Sequence, residues 1–148
     1  VIWLYYHMGV TLREHALATR VGVSYRHWTQ GDHISAVSVI VLTLEPIVRT
    51  ICRSRTNITE TRTVGGISTA QVRTLKPLIN DLEQQIGPTR TRYLEASLVD
   101  RGSLNLRNNL AHGLLTEFDE SQYITLFHLA CMLGSISSTD RTKNNGET

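Results

Sequence analysis

The chain has few aromatic residues and very little lysine. Aromatics make up 6% of its 148 residues, and long alternating runs of β-branched residues are absent, so a β-sandwich or barrel is disfavoured. Of the 15 basic residues, 13 are Arg, which suits bidentate phosphate contacts better than Lys does. The net charge of +2 is too small to predict nucleic-acid binding by itself.

Cysteine is equally scarce. Cys52 and Cys131 both lie in apolar helical patterns, which favours buried free thiols in a reducing cytosol over a disulfide. No cluster of Cys and His residues has the spacing of a zinc site. We therefore expect neither a bound metal nor a cofactor.

Long apolar runs are also missing, so we expect no membrane-spanning segment. The apolar opening, residues 1–6, is short and lacks the basic start and the cleavage site of a secretory leader. These features predict a cytoplasmic protein. The chain starts at Val1 without a Met, as expected for a fragment of a larger protein that carries another domain.

Apolar residues recur at helical spacing along most of the chain. The pattern predicts six helices: a short one from Thr11 to Gly22, a long one from Gly31-Asp32 to Ile51, one from Ser68 or Thr69 to Ile86, one around Tyr93–Leu98, one through Leu104–Leu114, and a last one capped by Asp119 or Ser121. Residues 54–68 are polar and predict a loop. Together these elements predict an all-α, up-and-down helical bundle of about four core helices plus short extra helices.

The stretch Leu106–Leu115 places an arginine, an amide and a histidine within an apolar helical frame. Asn108 and His112 are four residues apart and share a helix face, while the long side chain of Arg107 can reach the same groove. A fixed Arg-to-His offset arises about 0.5 times by chance in a chain of this composition, so the spacing itself is unspecific. A surface Arg, a cap-like Asn and a packed His are the alternative interpretation.

The string Leu-Arg-Asn-Asn-Leu-Ala-His-Gly-Leu-Leu resembles the signature of the HEPN superfamily, a group of small all-helical domains with an Arg, then a polar residue, then a His. It is most similar to a branch of unknown function that carries Leu-Arg-Asn-x-x-Ala-His-Gly-Leu. Upstream, Gly31–Ala36 followed by Glu45 and Arg49 resembles the long helix of that branch. The resemblance covers residues 25–136 and is strongest from Asn105 to Leu115.

Two departures from the family patterns bear on function. The branch usually has a Pro shortly before the Glu, whereas here Thr43 stands there and Pro46 follows Glu45. One toxin group of the superfamily has a Tyr two residues after the His, where this chain has Leu114. Regulation by nucleotidylation of that Tyr is therefore not expected.

The resemblance implies three parts: residues 1–24 as an N-terminal helical extension, the truncated end of a larger protein; residues 25–136 as a HEPN-like domain; and residues 137–148 as a disordered tail. It also implies a metal-independent endoribonuclease whose groove forms across a homodimer, acting in cellular defence or as a toxin-like effector. RNA, a second copy of the chain, and an antitoxin or additional domain are the partners expected.

The resemblance assigns roles to six residues. His112 would transfer protons, Arg107 would hold the scissile phosphate, and Asn108 would orient either group. Glu45, Arg49 and Asn109 would support the site, with a structural helix ion pair as the alternative for Glu45 and Arg49. Two other functions stay open: a non-catalytic HEPN module that binds nucleotide or RNA or mediates dimerisation, and a purely structural helical domain.

Overall fold

A computed structural model describes residues 12–55, 61–64, 67–114 and 117–139. These residues form an all-α bundle with one added β-hairpin, which confirms the fold class. The helices are α1 (Leu12–Thr29), α2 (His33–Arg55), α3 (Leu75–Asp81), α4 (Glu83–Ile86), α5 (Pro88–Leu98), α6 (Leu106–Ala111) and α7 (Glu120–Thr139), and the strands are β1 (Thr61–Val64) and β2 (Ile67–Val72).

Helix α2 is the centre of the bundle and packs against α1, α3, α6 and α7. Its apolar residues at helical spacing are almost completely buried: Ala36, Val37, Ile40, Val41, Leu44, Ile47, Val48 and Ile51. Many of them are β-branched, which lowers helix propensity. Burial of the whole stripe outweighs that small cost. Pro46 lies inside the helix, and its ring nitrogen cannot donate to the carbonyl of Leu42.

One segment of α2, His33–Arg53, is long and apolar enough to cross a membrane. The expectation that no segment of this kind exists is therefore wrong. Half of that segment is buried inside the bundle. Its hydropathy is explained by its central position, because it contributes core residues to several helix interfaces.

Helix α1 continues through Gly22 to Thr29, so the predicted end at Gly22 is wrong. Leu17, Ala18 and Val21 are buried in the core, and their packing offsets the roughly 1 kcal/mol that one glycine costs inside a helix. The boundary drawn between residues 24 and 25 lies inside this helix. Thr11, the predicted cap, lies outside the described residues.

The chain after α2 forms a hairpin where a loop was predicted. Strands β1 and β2 are antiparallel, with Thr61 opposite Val72 and Val64 opposite Ile67. Thr, Val and Ile residues on both sides of Gly65-Gly66 favour such a pair. The helix predicted from Ser68 or Thr69 instead begins at Leu75, and Pro77 is compatible with its first turn, where no helical N–H bond is lost.

The ends of the later helices follow the sequence more closely. Gly87, with φ of 81°, separates α4 from α5, which begins at Pro88 as the Gly-Pro pair indicates. Asp119 caps α7, because its Oδ1 atom accepts a bond of 2.8 Å from the backbone N–H of Gln122. Helix α7 extends to Thr139, so the first residues of the predicted tail are helical, and residues 140–148 lie outside the described part.

Candidate functional site

The motif helix α6 is only six residues long, because a left-handed residue closes it at each end. Asn105 precedes it with φ of 48°, and Gly113 follows it with φ of 66°. At the second end, Leu114 N–H donates to the carbonyl of Asn109 at 2.8 Å, and Gly113 N–H donates to that of Leu110 at 3.0 Å. This is a Schellman ending, which explains the glycine in the motif.

The leucine frame of the motif is therefore shorter than predicted. The helix expected through Leu104–Leu114 stops at Ala111. Leu106 is 1% exposed and fixes α6 to the core, whereas Leu104 and Leu114 are exposed. Leu106 therefore holds the start of α6 against the bundle, and the residues that follow the helix lie at the surface.

An open groove of about 560 Å³ lies between α2 and α6. Its walls are mainly apolar, and two arginines and one carboxylate form its charged part. The lining residues are Ser38, Val41, Leu42, Glu45, Pro46, Arg49, Arg107, Leu110 and Ala111. The long helix and the motif helix, which are far apart in sequence, thus meet at one surface feature.

Glu45 joins the two helices by binding Arg107. Its Oε2 atom accepts a bond of 3.0 Å from Arg107 Nη2 and one of 3.3 Å from Arg107 Nε. The two donors lie on one edge of the guanidinium, so the pair fixes the plane of the group as well as its distance. The Glu45 side chain is 22% exposed and that of Arg107 is 39% exposed.

The second oxygen of Glu45 binds Arg49, one helical turn further along α2. Arg49 Nη2 lies 2.7 Å and Arg49 Nε 3.2 Å from Glu45 Oε1. Arg49 Nη2 also donates to the main-chain carbonyl of Arg73 at 2.8 Å, at the base of the hairpin. Arg73 is held in turn by an ion pair with Asp81. Glu45 and Arg49 therefore form part of a network instead of an isolated helix pair.

The network carries a net charge of +1, since two guanidinium groups share one carboxylate. Burial of Glu45 alone would favour its neutral form, but the Arg49 hydrogen bonds and the charge of Arg107 outweigh burial and lower the pKa of Glu45 below its ordinary value. Arg49 Nη1 is buried without a hydrogen-bond partner. The groove is therefore lined by a network with surplus positive charge.

Asn108 contacts the opposite side of the Arg107 guanidinium. Its Oδ1 atom accepts a bond of 3.1 Å from Arg107 Nη1. Of the five N–H bonds of Arg107, two bind Glu45 and one binds Asn108, which leaves two without a partner among the described residues. An arginine held on two sides with free donors is preorganised for an oxyanion.

His112 lies apart from this network. It is the C-cap of α6 and is exposed, and within the described part of the chain no side-chain hydrogen bond or ion pair joins it to Arg107, Asn108 or Glu45. Its backbone N–H donates to the carbonyl of Asn108 at 3.0 Å. The imidazole is therefore accessible to solvent or a ligand. His112 directly follows the groove residue Ala111 in the sequence but is not among the residues that line the groove.

The structure thus brings together five of the six predicted site residues. Glu45, Arg49, Arg107 and Asn108 contact one another directly, and Asn109 joins them through the side chain of Asn105, which binds both Asn108 and Asn109. Two features were missed by the sequence analysis. The carbonyl of Arg73 contributes through the main chain, so residue type carries no signal for it. Asn105 could have been noticed, because an Asn directly before a helix is a common cap residue.

Comparison of the chain with family models, with curated proteins and with solved structures finds no match in any of the three.

Proposed function

We propose that the groove between α2 and α6 binds an RNA phosphate, and that the protein is a metal-independent endoribonuclease of the HEPN type. The observation that carries the proposal is the arrangement around Arg107. This arginine is fixed by Glu45 on one edge and by Asn108 on the other, and it keeps two free N–H donors in an open groove. A phosphodiester, with one negative charge, would neutralise the surplus charge of the network.

The apolar walls support a nucleotide as the ligand, in preference to a free inorganic anion. Leu42, Pro46 and Leu110 line the groove beside its charged part. A nucleotide offers both an anionic phosphate and a flat base that packs on apolar surface. A volume of about 560 Å³ is within the range of small-molecule binding sites.

In the proposed reaction the 2′-oxygen of RNA attacks the adjacent phosphorus, and the bond from phosphorus to the 5′-oxygen breaks. One His112 takes the proton of the 2′-hydroxyl, and a second histidine gives a proton to the departing 5′-oxygen. Arg107 binds the phosphate and stabilises the added charge of the transition state. The products are a 2′,3′-cyclic phosphate and a 5′-hydroxyl end.

A homodimer supplies the second histidine. Each subunit then contributes one exposed imidazole, and His112 of the partner subunit acts as the acid while the first acts as the base. Exposed apolar side chains near the groove fit such an interface: Leu42 is 68% exposed and Leu114 is 70% exposed. The proposal also includes the cellular role. The protein acts in the cytoplasm, in defence or as a toxin-like effector, and an antitoxin or a further domain controls it.

The test is digestion of labelled single-stranded RNA in the presence of EDTA. Wild-type protein should cleave it, and Arg107→Ala and His112→Ala should each lower the rate by at least about a hundredfold. The matched controls are Arg90→Ala and His128→Ala, which remove the same residue types at exposed positions outside the groove lining. Cleavage that persists in both Arg107→Ala and His112→Ala would contradict the proposal.

The second candidate, a non-catalytic module that binds nucleotide or RNA, is favoured by one observation. Among the described residues, the His112 side chain makes no hydrogen bond or ion pair with the Arg107 network. Under this alternative, wild-type protein binds the labelled RNA and leaves it intact, and Arg107→Ala weakens binding while His112→Ala does not. Both functions predict this binding pattern, so cleavage of the RNA by the wild-type protein is the result that separates them.

A further inference from the structure

Three asparagines, at positions 105, 108 and 109, form a chain of side-chain hydrogen bonds that ends at Arg107. Asn109 Nδ2 donates to the main-chain carbonyl of Leu104 at 3.1 Å. Asn105 Nδ2 donates to Asn109 Oδ1 at 3.5 Å, the longest link. Asn108 Nδ2 donates to Asn105 Oδ1 at 2.7 Å. Asn108 Oδ1 then accepts from Arg107 Nη1.

The direction of this chain is fixed at both ends. A main-chain carbonyl can only accept, so Asn109 must turn its NH₂ group toward Leu104. A guanidinium can only donate, so Asn108 must turn its oxygen toward Arg107. Between these ends each amide has one consistent orientation, and rotating any amide by 180° breaks the bonds on both of its sides.

Asn105 is the central member and also the residue with unusual backbone geometry. Its φ of 48° and ψ of 33° are left-handed, a region that L-residues other than Gly, Asn and Asp rarely adopt. Its backbone N–H donates to the carbonyl of Ala96 on α5, which ties the turn to the bundle. Glycine would suit this backbone equally well, but it has no amide with which to hold Asn108.

We infer that Asn105 is a positioning residue for Arg107, acting through Asn108, in the RNA cleavage proposed above. Glu45 holds the Nε edge of the guanidinium and is anchored through Arg49. The asparagine chain holds the Nη1 side and is anchored on Leu104. With both sides held, the guanidinium cannot rotate about its Cζ–Nε bond without losing bonds, and its two free N–H groups, one on Nη1 and one on Nη2, are held in fixed positions.

The experiment uses three variants of the full chain. Asn105→Gly keeps the left-handed backbone and removes the amide. Asn105→Asp tolerates the same backbone and keeps an oxygen that accepts from Asn108. Asn105→Ala strains the backbone and removes the amide, so it serves as the stability control: it should lower Tm, whereas Asn105→Gly should leave Tm close to wild type.

The first readout is the rotation rate of the Arg107 guanidinium, measured without RNA by ¹⁵N NMR of arginine side chains and assigned with Arg107→Lys. Asn105→Gly should accelerate the rotation severalfold, and Asn105→Asp should restore a rate near that of wild type. An unchanged rate in Asn105→Gly, or equal rates in the Gly and Asp variants, would overturn the inference.

The second readout is RNA cleavage in EDTA. Asn105→Gly should lower kcat by about tenfold to a hundredfold, the cost of a misplaced catalytic group, with a smaller change in KM, and Asn105→Asp should recover most of the loss. If wild-type protein does not cleave RNA, the proposed function fails on that result, while the rotation rates still decide whether Asn105 positions Arg107.

Discussion

The carboxylate of Glu45 lies 3.0 Å from the guanidinium of Arg107, 62 positions later in the chain. This ion pair joins the core helix α2 to the motif helix α6, which also pack against each other. The other oxygen of Glu45 binds Arg49 at 2.7 Å, so one carboxylate holds two arginines at the groove. The stability of the site and its proposed chemistry both depend on this arrangement.

Replacing Glu45 by Gln should destabilise the fold by about 2 to 4 kcal/mol at pH 7, because it leaves the largely buried Arg49 without a counter-charge. The effect should depend on pH. Since the folded pKa of Glu45 is lowered, its contribution is fully present above the unfolded pKa of about 4.3 and is lost as pH falls through the folded value.

Urea unfolding between pH 7 and pH 3 measures this effect. The difference in unfolding free energy between wild type and Glu45→Gln should be largest at neutral pH and should shrink in acid. The exposed Glu117 offers a matched control, and Glu117→Gln should change stability little at any pH. A constant difference across the whole pH range would show that the Glu45 charge contributes nothing.

The two arginines of the network should differ in their effect on stability. Arg49 is 13% exposed and also binds the Arg73 carbonyl, so Arg49→Ala should cost about 2 to 4 kcal/mol. Arg107 is 39% exposed, so Arg107→Ala should cost about 1 kcal/mol or less. Thermal unfolding compares the stability of the two variants. A larger loss of stability for Arg107→Ala would contradict a structural role for Arg49 and a ligand-binding role for Arg107.

Gly113 should be sensitive to substitution for a purely backbone reason. A Cβ atom there would meet nothing within 4 Å, yet its φ is +66°. Gly113→Ala should therefore cost about 1 to 2 kcal/mol from the left-handed geometry alone. Gly102 is the control, since its φ is not in that region and the nearest atom lies 3.7 Å from an added Cβ. Equal unfolding free energies for the two variants would contradict the Schellman assignment.

Leu42 should be required for the proposed dimer. It is 68% exposed and lines the groove, so Leu42→Asp should convert a dimer to a monomer and abolish RNA cleavage with little change in Tm. Ile124 is 56% exposed and lies outside the groove lining, which makes Ile124→Asp the control. Sedimentation velocity reports the oligomeric state. If the Leu42→Asp variant remains a dimer, this surface is not the interface.

Much of the fold could be predicted from apolar periodicity alone. Helix α2 has a regular buried stripe, and Asp119 and the Gly87-Pro88 pair mark helix ends by local chemistry that does not depend on distant residues. The two differences from the prediction have separate physical causes. Gly22 lies inside α1 because tertiary burial outweighs the low helix propensity of glycine. The segment after α2 forms a hairpin instead of the predicted loop, because its polar Thr residues interrupt the apolar pattern that would predict strands.

The candidate site was predictable only where side chains share an element. The motif indicates Arg107 and Asn108 as neighbours, and the helical spacing of Glu45 and Arg49 indicates their pairing. The contact between Glu45 and Arg107 depends on how α2 and α6 pack, which no local pattern encodes. The left-handed conformation of Asn105 likewise depends on the anchoring of the turn to α5. Its position before the helix indicates a cap residue, but its contact with Asn108 is visible only in three dimensions.

The most direct test of the central claim is the chemistry of the cleaved ends. Labelled RNA should be incubated with the protein in EDTA, beside a strand of the same sequence in which deoxyribose replaces ribose. We expect fragments with 2′,3′-cyclic phosphate and 5′-hydroxyl ends, an intact deoxyribose strand, and no products from His112→Ala even though this variant still binds RNA. Fragments with 5′-phosphate ends, or equal cleavage by His112→Ala, would contradict the proposed reaction.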